Sequence, residues 1–180
     1  GQSAAPALFF PERGTSGTAT EMIILNTAVI LEMISPFPQK NVLQWLDAQD
    51  ATQLYLTSLS VAALFSWADS LPENQPKAAL SDALLEMMNQ DFAGRLLPFD
   101  AASALYYPRV MALSKAANIE MAERDMQLAA ICLNHQAGLA TDHAEVFAHT
   151  GVVLVNPWDT AETPRWREEA AEYYVMSRKN

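Results

Sequence analysis

Apolar residues in this chain gather in five short, unalternating runs, set between longer segments in which they recur every three or four positions. The runs are Met22–Asn26, Leu54–Thr57, Arg95–Pro98, Leu139–Thr141 and Val152–Val155. Runs of this length without alternation predict strands covered on both faces. The intervening rhythm predicts helices over Asn41–Ala48, Ser60–Ser70, Ala78–Asn89, Ala101–Ala116 and Ala122–His135. In the first of these, Val42, Trp45 and Leu46 share a face, and Asp100 is a good cap for the helix that opens at Ala101. Strands alternating with helices predict an α/β fold: a central parallel sheet of about five short strands, flanked by helices in three layers. No repeat at solenoid spacing interrupts this order.

Three zones follow. Residues 1–21 are rich in Gly, Ser, Thr, Ala and Pro and carry one apolar knot, Leu8-Phe9-Phe10-Pro11. Residues 22–158 hold the strands and helices and are expected to form one domain. Residues 159–180 are a charged, aromatic tail, in which Thr163 caps and Pro164 opens a predicted helix to Lys179. Trp166, Ala170, Tyr173 and Tyr174 fall near one face of it, a stripe that packs on the domain or across a dimer.

With 51% hydrophobic and 18% charged residues in 180, the chain has the composition of one globular domain with a real core. Its longest apolar stretches fall well short of the ~20 residues a membrane helix needs. No basic leader precedes the first apolar segment, so the cytoplasm is the expected compartment. Cys132 is the single cysteine. It sits in an apolar helical pattern, which predicts a buried, inert thiol. The formal charge of −10 weighs against RNA as a partner, because nucleic-acid affinity rests on Lys and Arg. Between Met22 and Trp158 those residues are Lys40, Lys77, Arg95, Arg109, Lys115 and Arg124, scattered and unclustered.

The first strand ends on Asn26. In open α/β sheets, ligands and chemistry collect beyond the carboxyl ends of the strands. A metal-dependent nuclease would put an aspartate there, holding a hard divalent cation through oxygen. An amide has the shape of that aspartate without its charge.

Several ordered segments then resemble a PIN domain of the VapC/FitB toxin type, over Met22 to Trp158. Met22-Ile-Ile-Leu-Asn-Thr-Ala-Val-Ile-Leu-Glu32 is similar to the family's opening strand and helix, which carry an Asp-Thr-Asn signature and a later Glu. Trp45-Leu-Asp-Ala matches the second helix. Tyr55-Leu-Thr-Ser-Leu-Ser-Val-Ala-Ala63-Leu resembles the strand and the Thr-Val-Ala-Glu-Leu helix start. Phe92-Ala-Gly-Arg-Leu-Leu-Pro-Phe-Asp100, Asp125-Met-Gln-Leu-Ala-Ala-Ile, Leu139-Ala-Thr-Asp-His143 and Val155-Asn-Pro-Trp158 match later segments in order. The resemblance implies a small Mg²⁺-dependent ribonuclease that dimerises and pairs with an antitoxin.

The departures fall on the chemistry. Of the four acidic positions the resemblance implies, the first is Asn26, the second Ala63 and the fourth His143; Asp125 alone keeps its carboxylate. The signature Asn is replaced by Ala28, and Glu32 stays. Mg²⁺ takes hard oxygens in octahedral geometry, and it is the bound metal that activates water and clamps the phosphate. One carboxylate beside an amide is a poor site, so no cofactor is expected. Asp125, Asp142 and His143 are the weak candidate ligands, imidazole being suited to zinc or nickel. Each has a structural alternative: Asp125 near a helix start favours the helix dipole, Asp142 is a solvated loop charge, and Glu32 makes polar contacts. His135 and His149 are expected at the surface.

Two functions remain open. One is a pseudoenzyme of a type II toxin–antitoxin system that acts by binding an antitoxin-like protein or a dimer partner. Residues 1–21 would then be either an appended leader or a segment that fills the groove in cis. The other is an active ribonuclease with a rewired acidic site, using Mg²⁺ or Mn²⁺.

Overall fold

The computed structural model describes residues 22–159. The extension at 1–21 and the tail helix expected at Thr163–Lys179 lie outside the described residues.

Five parallel strands form one sheet: β1 (Ile23–Leu25), β2 (Leu54–Thr57), β3 (Leu96–Leu97), β4 (Gly138–Ala140) and β5 (Leu154–Val155). Their order is β3-β2-β1-β4-β5, with β1 central. Ile24 stands beside Tyr55 of β2 on one side and Leu139 of β4 on the other. The period-two alternation of side chains splits each strand between two cores. Ile24 and Leu139 belong to one; Leu25 and Ala140, their neighbours in sequence, belong to the other. That division is why the strands read as unbroken apolar runs.

The second core is roofed by α1 (Thr27–Ile34), α2 (Lys40–Asp47), α3 (Ser58–Ser70) and α4 (Lys77–Glu86). The first is covered by α5 (Ala101–Ala104), α6 (Tyr107–Ala116), α7 (Glu123–His135) and α8 (Ala144–Phe147). The three-layer α/β arrangement with a parallel five-stranded sheet is the one the apolar pattern predicts. None of the helices in the described residues is long and apolar enough to cross a membrane.

Differences from the sequence reading have local causes. The helix expected over Ala101–Ala116 is two, because Pro108 lacks an N–H and its ring would clash with the carbonyl four residues earlier; α6 carries that proline in its first turn. Asp100 does cap α5, its carboxylate accepting the Ser103 N–H at 2.9 Å. Strand β3 is shorter than Arg95–Pro98 because the Arg95 N–H turns back to the Phe92 carbonyl at 2.8 Å, although the Arg95 carbonyl still accepts the Leu56 N–H at 3.0 Å, and its side chain adds to this corner. Its Nε donates to the Leu54 carbonyl at 2.9 Å, and its guanidinium lies over the Phe92 ring. Strand β5 begins at Leu154, after Gly151 turns the chain with φ +82°. The helix over Ala78–Asn89 finishes in a π-helical turn at Met87–Asp91. Periodicity alone did not mark α1 or α8.

Cys132 is fully buried, and burial pushes its thiol far above the ordinary range. The two histidines expected at the surface are only half exposed. His149 Nε2 lies 2.8 Å from the Ser114 hydroxyl, while His149 Nδ1 and His135 Nε2 are buried without a hydrogen-bond partner.

Candidate functional site

In the order β3-β2-β1-β4-β5 the chain reverses its direction of growth between β1 and β4. The crevice beyond the carboxyl ends of those two strands is where this class of sheet binds ligands. The residues just past the two strands are Asn26 and Thr141, and they meet there.

Asn26 is held on every side. Its backbone N–H donates to the Ala140 carbonyl at 3.0 Å, extending the β1–β4 ladder by one bond. Its side-chain oxygen accepts the Thr27 N–H at 2.8 Å, which caps α1. Its side-chain nitrogen donates to Thr141 Oγ1 at 3.2 Å. The amide oxygen that would face a cation is engaged by a helix N-terminus.

Thr141 organises this corner, a role that sequence reading missed. It is fully buried, and its hydroxyl oxygen also accepts the His143 N–H at 3.1 Å. The one available signal was its position, a hydroxyl directly after a buried strand, like the amide after β1. Thr141→Val keeps the shape and removes the acceptor, leaving two donors unpaired. An orphaned buried donor costs about 1–3 kcal/mol. Urea denaturation of Thr141→Val should give a lower midpoint with an unchanged slope, the product of slope and midpoint falling by that amount.

Ala63 sits one turn beyond Ser60 on α3, the helix that leaves the carboxyl end of β2. Thr57 caps this helix, its hydroxyl oxygen accepting the Ser60 N–H at 3.2 Å, and both hydroxyl residues are buried. A methyl at 63 brings no donor or acceptor. Glu32 is at the far end of α1 from Asn26, where its carboxylate accepts the Gln39 N–H at 2.7 Å and closes the α1–α2 loop. Its contact there is polar, as the structural alternative expects.

Asp125 lies in the first turn of α7, half buried. Burial pushes its carboxyl above the usual carboxylate range, against the opposing pull of Arg124 and His143. His143 presents both ring nitrogens to carboxylates: Nε2 is 3.3 Å from Asp142 and Nδ1 3.5 Å from Glu145. Asp142 is the imidazole's neighbour in this arrangement. Among the described residues, no three His, Cys, Asp or Glu side chains converge as metal ligands would.

The raised carboxyl of Asp125 has a consequence for stability. A group whose folded pKa lies above its unfolded value binds its proton more tightly in the native state. Its contribution is therefore favourable at low pH and is lost as pH rises out of the ordinary carboxylate range. Asp125→Asn removes that dependence. Melting curves of the two proteins should coincide most closely in acid, with the variant gaining on the natural chain toward neutral pH. A variant that loses ground as pH rises would show that Asp125 is stabilised as an anion.

No protein-family model matches the chain. It is 32% identical over 140 residues to VapC ribonuclease Y4jK of Sinorhizobium fredii, covering 78% of this chain and 100% of that protein. It is 34% identical over 137 residues to toxin FitB of Neisseria gonorrhoeae, covering 76% and 99%. The crystal structure of FitAcB from the same organism superimposes with a TM-score of 0.71 at 34% identity, over 76% of this chain and 99% of the other.

Proposed function

We propose that this chain, which belongs to the VapC/FitB family of PIN-domain toxins, serves its type II toxin–antitoxin system by protein binding and not by metal-dependent cleavage of RNA. The reading rests on the crevice between β1 and β4. Of the four positions where the resemblance implies acids, the first is an amide at that crevice whose oxygen caps α1, the second is a methyl, and the fourth is an imidazole set between two carboxylates. Asp125 is what remains, and burial favours its neutral form. Such a donor set does not fit Mg²⁺, which needs near-ideal octahedral oxygen geometry and ionised carboxylates. Without the metal, nothing in the crevice supplies the activated water and phosphate clamp of hydrolysis.

Binding needs none of this. The β1–β4 crevice and the helices around it persist with the fold, and a net charge of −10 suits a basic protein segment better than a nucleic acid. The partner is an antitoxin-like protein, in line with the solved FitAB relative, which is a complex bound to a DNA fragment.

The expected result is simple to state. Purified protein cleaves neither tRNA nor single-stranded RNA with Mg²⁺ or Mn²⁺, and an antitoxin-like protein co-purifies from the native source. The carboxyl retained at Asp125 favours one competing reading, an active ribonuclease with a rewired site. Metal-dependent cleavage that disappears in Asp125→Ala would establish that reading and overturn ours.

A further inference from the structure

Phe37 is held out into solvent by a connection that is otherwise pinned. Its side chain is 89% exposed, and it sits between Pro36 and Pro38 in the loop from α1 to α2. The Phe37 N–H donates to the Ser35 hydroxyl at 3.1 Å, and the Gln39 N–H to the Glu32 carboxylate at 2.7 Å. On α2, Val42 and Trp45 take the buried side while Leu43 is exposed. A rigid loop that already displays an aromatic ring has little freedom left to lose when the ring is covered, which is the property of a pre-formed anchor.

The chain itself supplies the occupant. Asn41, in the first turn of α2, donates through its side-chain amide to the Trp158 carbonyl at 3.2 Å. The Trp158 N–H donates to the Asn156 side-chain oxygen at 3.0 Å, and the Asp159 N–H to the Asn156 carbonyl at 3.1 Å. The chain therefore leaves the domain from a closed turn beside α2, and residues 160–180 start there. Seven residues, the step from Asp159 to Trp166, span at most about 25 Å. Phe37 lies only four residues from the Asn41 that touches Trp158.

The tail has the composition such a corner takes. Arg165-Trp166-Arg167 comes first, and Tyr173 and Tyr174 fall near the same face of the helix its spacing predicts. Four of the chain's eleven Lys and Arg residues are in it. From Thr27 to Gln53 the charged residues are Glu32, Asp47 and Asp50 against Lys40 alone. Aromatic rings gain from packing on one another, and arginine from lying over a ring. A tethered segment also meets its site at roughly millimolar effective concentration, which a separate molecule in dilute solution does not. The VapC and FitB relatives are matched nearly end to end by 140 and 137 residues, so this chain carries residues beyond the domain it shares with them.

Sequence alone leaves the aromatic stripe to pack on the domain or across a dimer. We propose that residues 160–180 bind in cis over Phe37 and Leu43, which makes the α1–α2 corner a docking surface for the chain's own tail. This goes beyond the proposed function and does not depend on it.

The test uses the full chain. Cys132 is buried, so a nitroxide attached at Gln44→Cys, an exposed position beside Leu43, labels one site. In dilute isotope-enriched protein the label should broaden the tail amides and the Trp166 indole signal. Phe37→Glu/Leu43→Glu in the labelled chain should restore them, whereas Leu105→Glu, at an exposed site on another part of the surface, should not. Tail signals that stay sharp in the labelled chain overturn the proposal. Equal broadening in a mixture of labelled unenriched chain and unlabelled enriched chain overturns it as well, because the tail then sits on a second copy. Should the glutamate pair fail to fold, Trp166→Glu/Tyr173→Glu gives the same comparison from the other side of the contact. Broadening that survives this second pair overturns the assignment.

Discussion

Asn26→Asp, Ala63→Glu and His143→Asp combined in one chain should create a Mg²⁺ response where the natural sequence has none. Each change suits its place. Aspartate at 26 keeps the oxygen that caps Thr27, and Thr141, which now accepts from the amide, can rotate its hydroxyl to donate instead. Glutamate at 63 extends from a half-buried position on α3, and aspartate at 143 replaces an exposed imidazole. The four carboxylates would repel one another in the absence of metal, raising further a carboxyl at Asp125 that burial already raises. The metal-free variant is then less stable than the natural chain at neutral pH and recovers as Mg²⁺ is added. A ligand at a hundredfold excess over its Kd stabilises the native state by about 2.7 kcal/mol. For a domain of this size that raises Tm on the order of 5–10 °C. The natural chain should show no such shift. RNA cleavage by the variant would mean that the scaffold is intact and only the ligands were lost. A folded variant that neither shifts nor cleaves would mean that the crevice itself has diverged, which weakens the binding proposal too.

What the sequence revealed of this fold depended on the range of the interaction behind each feature. The runs at Met22–Asn26 and Leu139–Thr141 were legible because strands buried on both faces need apolar residues at every position, whatever their neighbours. The Asp100 cap was legible because cap and helix are adjacent in the chain. Pro108 is equally local, but the apolar rhythm runs on through it and masks the break it imposes between α5 and α6. The role of Thr141 was beyond local reading. Its hydroxyl matters only because β4 pairs with β1, which brings it to an amide 115 positions away. The Ser114–His149 contact is hidden in the same way, joining α6 to the turn after α8 across 35 positions. At the crevice, residue types alone disclosed the missing carboxylates, whereas the engagement of the Asn26 oxygen by Thr27 required coordinates.

Ile24→Ala should be the most destabilising single change near the crevice that leaves its chemistry untouched. Ile24 is fully buried in the central strand, between Tyr55 and Leu139, and it belongs to the core that α6, α7 and α8 cover. Truncation removes buried carbons and leaves a void that strands on both sides are poorly able to close, since they are themselves fixed by the sheet. Substitutions of this kind cost about 2–5 kcal/mol. The upper half of that range is expected here, because the paired strands on either side cannot move in to fill the void. Leu105→Ala, at a site 62% exposed, should change stability by less than about 0.5 kcal/mol. Chemical denaturation of both variants separates the core site from the exposed one. A loss below about 1 kcal/mol for Ile24→Ala would mean that β1 is not the packed centre of the sheet. Asn26, two residues on and just past the strand, would then lose the rigid support on which both its cap and its bond to Thr141 depend.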